Sequence, residues 1–394
     1  MILMERNKVC IILPSFLPVP ATKGGAVETI IENLVIENEK YENFDFTILS
    51  NYEEKAFKLS MKYKFSKFIY FKTSRLLDKL LLLIYKCFRK IGIAVPSSTL
   101  ILQSLRYIKK NNFDYILLEA GEVYVLKCFS KFKKNSKLLI HVHWNPKFCN
   151  SYDFKFDYYI GVSDFITNQW KHRSTMDEVH FVTLPNCINI NNFKKKISIE
   201  EKIELKKSLG INDECVCIYT GRLVEEKGVR ELIKAISYLK NENIKLLIIG
   251  SSNFAIKSKT KFEMEMNELF KENIDKIIFI GFVKNTDLYK YYSISDISII
   301  PSIFEDPAPL VVLEAMSAAK PIITTATGGM SEYLVDGGYL KVDRNKLDID
   351  LYEKILYLIK NKELRERMGE INCNSSENFD FENYYKRFTK ILNM

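Results

Sequence analysis

Two cations stand close together in the glycine-bounded segment 219–228, which reads YTGRLVEEKG. Arg222 and Lys227 follow a predicted strand and precede a predicted helix. An arginine can bind two phosphate oxygens at once, a lysine adds a point charge, and the amides at a helix start donate further hydrogen bonds. The segment therefore predicts a phosphate clamp. The alternative is a solvated turn in which the cations pair with Glu225 and Glu226.

Two carboxylates flank the start of another predicted helix, in the segment 304–316. Asp306 precedes the helix and Glu314 lies about one turn inside it. Because carboxylates beside a bound phosphate would repel it, we expect both to accept hydrogen bonds from sugar hydroxyls. The amides left for a diphosphate would be those of Ala308, Leu310 and Val311. The alternative is that Asp306 caps the helix and Glu314 is a surface residue.

Two further strand ends carry glycine. Gly281 would let a flat ligand approach the backbone and Phe282 could wall it, although an edge-strand turn has the same pattern. Gly328 and Gly329 form another glycine-rich loop before a helix. Ligands of open α/β sheets bind beyond the carboxyl ends of the strands. Four such ends with glycine, cation or carboxylate chemistry predict a binding site at one edge of a sheet.

Short apolar runs rich in β-branched residues alternate with longer amphipathic segments along the chain. The predicted strands are 8–15, 44–50, 68–72, 114–120, 137–143, 158–163, 179–184, 216–221, 245–250, 277–283, 297–301, 321–327 and 339–342. Apolar strands separated by helices are typical of parallel sheets covered on both faces. The pattern predicts an α/β protein with two doubly wound halves.

The predicted domain boundary lies in an asparagine-rich stretch that follows Pro185 and precedes a charged helix. Such a stretch is typical of a linker. We therefore predict an N-terminal domain of residues 1–187, a C-terminal domain of residues 188–377, and a terminal helix over residues 378–394.

The chain of 394 residues has a net charge of +9 that is unevenly distributed. Residues 55–137 contain 19 basic and four acidic side chains, a local charge of +15, so the rest of the chain sums to −6. The basic region interleaves aromatic residues with lysine, yet it matches no nucleic-acid recognition motif. We expect no specific nucleic-acid partner, because isolated charge gives only salt-sensitive, non-specific attraction.

Within the basic region, residues 72–90 combine a leucine face with cations. This pattern is typical of a helix that lies in a membrane interface. We expect peripheral attachment to an anionic membrane surface, which would bring the site to a lipid-linked acceptor. The alternative, a buried helix with a solvated basic face, fits the same pattern.

The eight cysteines show no C-x-x-C spacing, which favours free thiols in a reducing cytosol. No cleavable signal precedes the first predicted strand, and the longest apolar stretch is far shorter than the roughly 20 residues that span a bilayer. We therefore expect a cytoplasmic protein that also contacts the inner face of the cell membrane.

These motifs together resemble the signature of the retaining glycosyltransferases of family 4, the glycosyl transferases group 1. The matching positions are Gly221 to Leu223, Glu226 to Gly228, Asp306 to Met316, Gly328, Gly329 and Glu332. Those in the first half are Lys23 to Ala26, His143, Val162, Ser163, Pro185 and Asn186. The chain looks most similar to bacterial transferases of the spore-coat and surface-polysaccharide type. The resemblance implies the GT-B fold: two Rossmann-like doubly wound parallel-sheet domains facing a cleft, with the C-terminal helix crossing back to the first domain.

The resemblance also implies a nucleotide-diphospho-sugar donor, most simply a UDP-sugar, bound mainly by the second domain. Arg222 and Lys227 would hold the diphosphate, and Glu314 the ribose hydroxyls. The backbone around Phe282 and Val283 would hold the base.

Asp306 stands where the family usually has Glu and would bind hydroxyls of the donor sugar. Its side chain is about one methylene shorter, so either the choice of donor differs or the neighbouring Glu305 takes over.

In the first domain, the resemblance implies that Gly24 and Gly25 close on the phosphate and that His143 lies near the reacting carbon of the sugar. His141, two residues earlier on the same predicted strand, is the competing assignment. We favour His143 because it stands at the strand exit.

The implied reaction is sugar transfer with retained anomeric configuration to a hydroxyl of a glycan or lipid-linked acceptor. Arg222, Lys227 and helix amides would stabilise charge on the departing phosphate. Because these groups supply positive charge without a metal ion, we expect neither a metal nor a cofactor. The alternatives are a nucleotide-sugar epimerase or hydrolase on the same fold, and a non-catalytic membrane-associated scaffold.

Overall fold

The computed structural model describes residues 6–13, 17–119, 123–132, 134–145, 156–174, 180–250 and 261–394. Parts of three predicted strands, at residues 14–15, 120 and 179, lie outside the described residues, as does Cys149. The chain divides into two compact units. Unit 1 comprises Met1–Asn186 and Phe381–Met394, and unit 2 comprises Cys187–Asp380.

Unit 1 is built on a seven-stranded parallel sheet with the order β3-β2-β1-β4-β5-β6-β7. Its strands are β1 (Asn7–Ile12), β2 (Phe44–Asn51), β3 (Ser66–Phe71), β4 (Tyr115–Glu119), β5 (Lys137–Val142), β6 (Tyr158–Gly161) and β7 (His180–Thr183). Its helices are α1 (Ala26–Tyr41), α2 (Glu54–Ser60), α3 (Arg75–Lys90), α4 (Thr99–Ile108), α5 (Asp164–Lys171) and, at the end of the chain, α14 (Phe381–Leu392).

Unit 2 is built on a six-stranded parallel sheet with the order β10-β9-β8-β11-β12-β13. Its strands are β8 (Cys215–Thr220), β9 (Ile244–Ile249), β10 (Ile277–Gly281), β11 (Ile297–Ile300), β12 (Ile322–Thr324) and β13 (Tyr339–Lys341). Its helices are α6 (Ile190–Lys194), α7 (Ile199–Ser208), α8 (Val229–Tyr238), α9 (Lys261–Glu272), α10 (Leu288–Ile294), α11 (Leu310–Ser317), α12 (Leu347–Lys360) and α13 (Lys362–Ser376).

The strand order reverses once in each sheet, between β1 and β4 in unit 1 and between β8 and β11 in unit 2. At such a switch point the connections leave in opposite directions and open a crevice at the carboxyl ends of the strands. The order and the parallel pairing confirm the prediction of two doubly wound sheets. In unit 2, the two predicted clamp cations and Asp306 follow β8 and β11, the two strands beside this reversal.

Local signals explain where several helices begin. Ser198 and Glu201 form a capping box at the start of α7. The side chains of Ser98 and Ser163 accept amide hydrogen bonds at the starts of α4 and α5. The interior residues of β8 and β9 are almost all buried, because helices cover both faces of the sheet.

The terminal helix α14 packs in unit 1 against α1. The Tyr385 hydroxyl donates to Asn38 Oδ1 at 2.7 Å, and the Tyr385 ring stacks on Tyr41 with the centroids 5.4 Å apart. Tyr385 and Phe388 are also buried against the aromatic residues of β2. The helix therefore completes the core of unit 1 although it lies at the far end of the chain.

The described cysteines are free, and burial varies among them: Cys10, Cys187 and Cys217 are buried whereas Cys87 is exposed. Among the described helices, none is long and apolar enough to cross a membrane.

Candidate functional site

The segment after β8 holds the two predicted clamp cations in different environments. Arg222 has an exposed side chain, and its Nη2 donates to Glu226 Oε1 at 3.0 Å. Exposed pairs of this kind contribute about 0–1 kcal/mol, so the guanidinium can be redirected to a ligand at little cost. The solvated-turn alternative thus describes the pairing of Arg222. It is wrong for Lys227, whose partner in the structure is neither Glu225 nor Glu226.

Lys227 is held by Asp306, which follows β11. The Lys227 Nζ lies 2.6 Å from Asp306 Oδ1 and 2.7 Å from Oδ2. Ser302 Oγ donates to Asp306 Oδ2 at 2.8 Å, and both charged side chains are largely buried. An ammonium has three donors and a carboxylate about four acceptor positions. The pair therefore keeps one donor for a phosphate oxygen and one acceptor position for a hydroxyl.

Backbone contacts bring the segments after β8 and β11 together. The Glu226 carbonyl accepts from the amides of Ile303 and Phe304 at 2.9 and 3.1 Å. Gly228 has φ +67°, and a Cβ at this position would lie 2.0 Å from the carbonyl oxygen of Pro301. Only glycine permits this approach, so Gly228 fixes Lys227 beside Asp306.

The segment after β12 closes the other side of Asp306. The Gly329 amide donates to the Asp306 carbonyl at 2.8 Å, and a Cβ on Gly328 would lie 2.5 Å from the same oxygen. Thr327 Oγ1 donates to the Phe304 carbonyl at 3.0 Å. The structure therefore gathers the ends of β8, β11 and β12 around one carboxylate.

Asp306 is not a helix cap, so that alternative is wrong. Helix α11 begins at Leu310 with Pro309 in the cap position, and no side chain caps it. Asp306 rather than Glu305 holds Lys227. Ala308, Leu310 and Val311, the three predicted amide donors, are half-buried at this helix start.

Glu314 points into the interior of unit 2, so the surface-residue alternative is wrong. The residue is 4% exposed, and its Oε1 accepts from Asn285 Nδ2 at 3.1 Å. Within the part of the chain that the structure describes, Oε2 is buried and lacks a hydrogen-bond partner. Burial raises the pKa of Glu314 to about 7, although the hydrogen bond from Asn285 and the nearby Tyr292 hydroxyl act in the opposite direction. An unsatisfied buried acceptor of this kind suits a ligand hydroxyl.

We expect the Glu314→Gln variant to be more stable than the wild type above pH 7. The pKa of a carboxyl raised from 4.5 to about 7 makes the folded protein bind more protons, so its stability falls as the pH rises through this window. One pKa unit corresponds to about 1.4 kcal/mol, so the ionised carboxylate lowers the free energy of unfolding of the wild type by at most about 3 kcal/mol. Urea unfolding at pH 4.5 and pH 8 measures the stability difference between the variant and the wild type. The same difference at both pH values would contradict the expectation.

The residues predicted at the nucleotide base follow the edge strand β10. Phe282 is 59% exposed and Val283 packs partly against the core of unit 2. The predicted strand extends through both residues, whereas β10 ends at Gly281. Asn285, further along this segment, reaches Glu314 and so connects it to the helix α11.

Unit 1 holds the other predicted residues at the ends of β1 and β5. Gly24 and Gly25 directly precede α1, and Gly25 occupies its cap position. His143 follows β5, with its side chain 17% exposed, whereas His141 lies inside the strand and is 1% exposed. Of the two histidines, His143 is therefore the more accessible at the carboxyl edge of the sheet.

A buried glutamate at the end of β4 joins the two histidines. His141 Nδ1 lies 3.0 Å and His143 Nε2 3.2 Å from Glu119 Oε2. Burial opposes ionisation of Glu119, but the charge and hydrogen bond of His141 and the hydrogen bond of His143 outweigh it and lower the pKa to about 2. Burial and the neighbouring His141 lower the pKa of His143 despite Glu119. Among the described residues, these three form a group whose ligand atoms lie within 4.8 Å of one another, close enough to hold a metal ion.

Comparison with known families identifies the segment that carries the site of unit 2. A family described as "Glycosyl transferases group 1" matches residues 201–374. This confirms the resemblance inferred from Arg222, Lys227 and the segment from Asp306 to Met316, all of which lie inside the matched range.

Curated relatives of the glycosyl transferases group 1 segment align with parts of the chain. Spore coat protein SA of Bacillus subtilis is 30% identical over 178 residues, which cover 44% of this chain and 47% of the relative. Lipopolysaccharide 1,2-N-acetylglucosaminetransferase of Salmonella typhimurium is 29% identical over 209 residues, 52% of each chain. The chain thus spans about half the length of these relatives.

A solved structure, Anabaena Alr3699/HepE in complex with UDP, matches nearly the whole fold. The TM-score is 0.73 at 16% identity, with 98% of this chain and 99% of that chain covered. The chain has the GT-B fold, as predicted.

Three residues of the site, Ser302, Asn285 and Glu119, were not predicted from the sequence. Ser302 and Asn285 carry no motif, and their contacts with Asp306 and Glu314 depend on the path of loops. Glu119 left a usable signal: it is a charged residue that ends the apolar run Tyr-Ile-Leu-Leu, at a strand exit beside the reversal of the sheet.

Proposed function

We propose that this protein transfers a sugar from a nucleotide-diphospho-sugar to a hydroxyl of an acceptor, with retention of configuration. The observation that carries this proposal is the Lys227–Asp306 pair, which lies between the ends of β8 and β11. It offers a cation and a carboxylate side by side, as a phosphate joined to a sugar requires. The match of residues 201–374 to the glycosyl transferases group 1 supports the same reaction.

The donor that the residues fit is a nucleoside diphosphate joined to a sugar. Arg222 and Lys227 would bind the diphosphate, Asp306 the sugar hydroxyls, and Glu314 the ribose through its unsatisfied Oε2. UDP is the nucleoside diphosphate we propose, because it occupies Anabaena Alr3699/HepE, which shares the fold.

The chemistry we propose depends on fixed positive charge. Breaking the bond between the sugar and the diphosphate leaves negative charge on the departing phosphate, which Lys227 and Arg222 would stabilise together with amides at the start of α11. Lys227 is held in place by Asp306 before the reaction, whereas Arg222 turns from Glu226 to the ligand at little cost. These groups supply the required charge from the chain itself, and we propose that no metal ion or cofactor takes part.

We propose that the acceptor is a glycan or a lipid-linked glycan used in bacterial surface polysaccharide or glycoconjugate synthesis. The lipopolysaccharide transferase of Salmonella typhimurium among the relatives supports this class. The helix α3 gives a physical reason for a lipid-linked molecule, since it is suited to a membrane surface.

The helix α3 exposes most of its leucines. Leu76, Leu80 and Leu83 are 80%, 52% and 60% exposed, and only Asp78 and Tyr85 are buried. The alternative of a buried helix is therefore wrong. Lys72, Arg75, Lys79, Lys86, Arg89 and Lys90 flank this apolar face. We propose that α3 lies on the anionic inner leaflet, where leucines enter the interface and cations meet lipid headgroups.

A product assay tests the proposed reaction. The purified protein is incubated with UDP-, GDP- and ADP-sugars, with and without glycolipid acceptors, and the products are identified by mass spectrometry and NMR. We expect release of the nucleoside diphosphate only with an acceptor, an α-linked product from an α-linked donor, and no effect of EDTA. Release or isomerisation of the sugar without an acceptor would favour a hydrolase or an epimerase.

A further inference from the structure

The carboxylate of Glu119 is placed to orient a histidine rather than to meet a substrate. The residue ends β4, is 1% exposed, and lies directly beside His141 of β5 in the parallel register. Its Oε2 is shared by His141 Nδ1 at 3.0 Å and His143 Nε2 at 3.2 Å. Of the three side chains only His143 is partly exposed. Glu119 can therefore affect a bound ligand only through the His143 ring.

The hydrogen-bond pattern fixes which nitrogen of His143 carries its proton. An ionised carboxylate only accepts hydrogen bonds, so the nitrogen that faces Glu119 must be an N–H. In a neutral imidazole the other nitrogen then has a lone pair. His143 therefore donates through Nε2 and presents Nδ1 as an acceptor.

The same three side chains, two histidines and a glutamate, are also residue types that bind metal ions. The hydrogen bonds of the histidines show whether the group is a metal site or a hydrogen-bonded cluster. A histidine that binds a metal normally donates its second N–H to a neighbouring acceptor. His141 Nε2 is buried and has no hydrogen-bond partner within the described part of the chain. The separations of 3.0 and 3.2 Å are those of hydrogen bonds. These observations favour three side chains joined by hydrogen bonds over a metal site.

We propose that Glu119 is a positioning residue that locks His143 in the neutral Nε2–H tautomer, so that Nδ1 accepts a hydrogen bond from a hydroxyl of a substrate. This inference rests on the proposed function for the identity of the ligand, but the tautomer belongs to the protein alone. His141 Nδ1 lies 3.0 Å from Oε2 and 3.2 Å from Oε1 of Glu119, so it contacts both carboxylate oxygens and limits the directions that Glu119 can take.

The tautomer is measured by NMR of the full chain labelled with ¹⁵N-histidine, which has only four histidines to assign. At pH 7.5 and without substrate, we expect His143 to carry its proton on Nε2. Glutamine offers one acceptor oxygen where two N–H groups compete, so Glu119→Gln should reduce this tautomer and lower kcat about 10- to 100-fold with donor affinity changed less than 3-fold. Glu37→Gln, the same change at a buried carboxylate of α1, should leave both unchanged.

Three results would overturn the proposal: an Nδ1–H tautomer of His143 in the wild type, an unchanged tautomer in Glu119→Gln, or one equivalent of bound metal by elemental analysis that this variant loses. The wild-type spectrum shows which nitrogen of His143 carries the proton, and so tests the proposal even if the variant fails to fold. Because the spectrum needs no substrate, a failed product assay would count against the proposed function and leave the tautomer result standing.

Discussion

Replacing Lys227 by Met should lower sugar transfer about 100- to 1000-fold. Its ammonium is the cation that Asp306 holds in place, and loss of one preorganised donor to a developing negative charge typically costs about this factor. The effect should fall on donor affinity as well as on kcat, because Lys227 contacts the diphosphate of the bound donor and the charge on the departing phosphate grows further as the bond breaks. Initial rates over a range of donor concentrations measure both.

Lys234→Met is the matched control, since Lys234 is exposed on the neighbouring helix α8. It should retain the wild-type rate. The Lys227 variant also leaves Asp306 without its cation, so its unfolding must be measured to separate lost folding from lost catalysis. A folded Lys227→Met protein with a rate within threefold of wild type would contradict the role of Lys227.

The second large effect concerns binding to lipid. Vesicles containing phosphatidylglycerol should bind the wild type, and Leu80→Asn with Leu83→Asn should weaken binding about 100-fold. Burying a leucine contributes about 1.5–3 kcal/mol and each nearby cation about 1 kcal/mol. Co-sedimentation over a range of lipid concentrations measures the partition coefficient.

Ile199→Asn with Ile203→Asn is the matched control, because both isoleucines are exposed on α7. This helix carries acidic as well as basic residues, unlike the basic face of α3. This variant should bind like the wild type. Equal recovery of the wild type with neutral and anionic vesicles, or with neither, would contradict the membrane surface proposed for α3.

Much of the fold was predictable because parallel strands buried on both faces leave continuous apolar runs. Each of the thirteen predicted strands has a counterpart, and the ends of β8, β11 and β12 meet as expected. The end of β10 was overestimated, since Phe282 is apolar and yet exposed beyond the edge strand. The pattern of apolar residues indicates which residues are buried. It mispredicts the end of a strand where an apolar side chain faces solvent.

The pairing inside the site was not predictable. Glu225 and Glu226 are closer in sequence to Lys227 than Asp306 is, and only the contact of Gly228 with Pro301 brings the lysine to Asp306. The connection between Glu119 and His143 likewise depends on two strands being neighbours. Local patterns indicated which residues carry chemistry, but contacts across strands determine which of them act together.

Donor binding between the ends of β8 and β11 is tested most directly by thermal unfolding of the full chain with increasing UDP and UDP-glucose, with GDP and ADP alongside. A ligand that binds only the folded protein raises the melting temperature with concentration. We expect such a rise with UDP and UDP-glucose for the wild type, and its loss in Arg222→Ala and Lys227→Ala. No rise with any of these nucleotides, or a rise that both variants retain, would contradict the donor site.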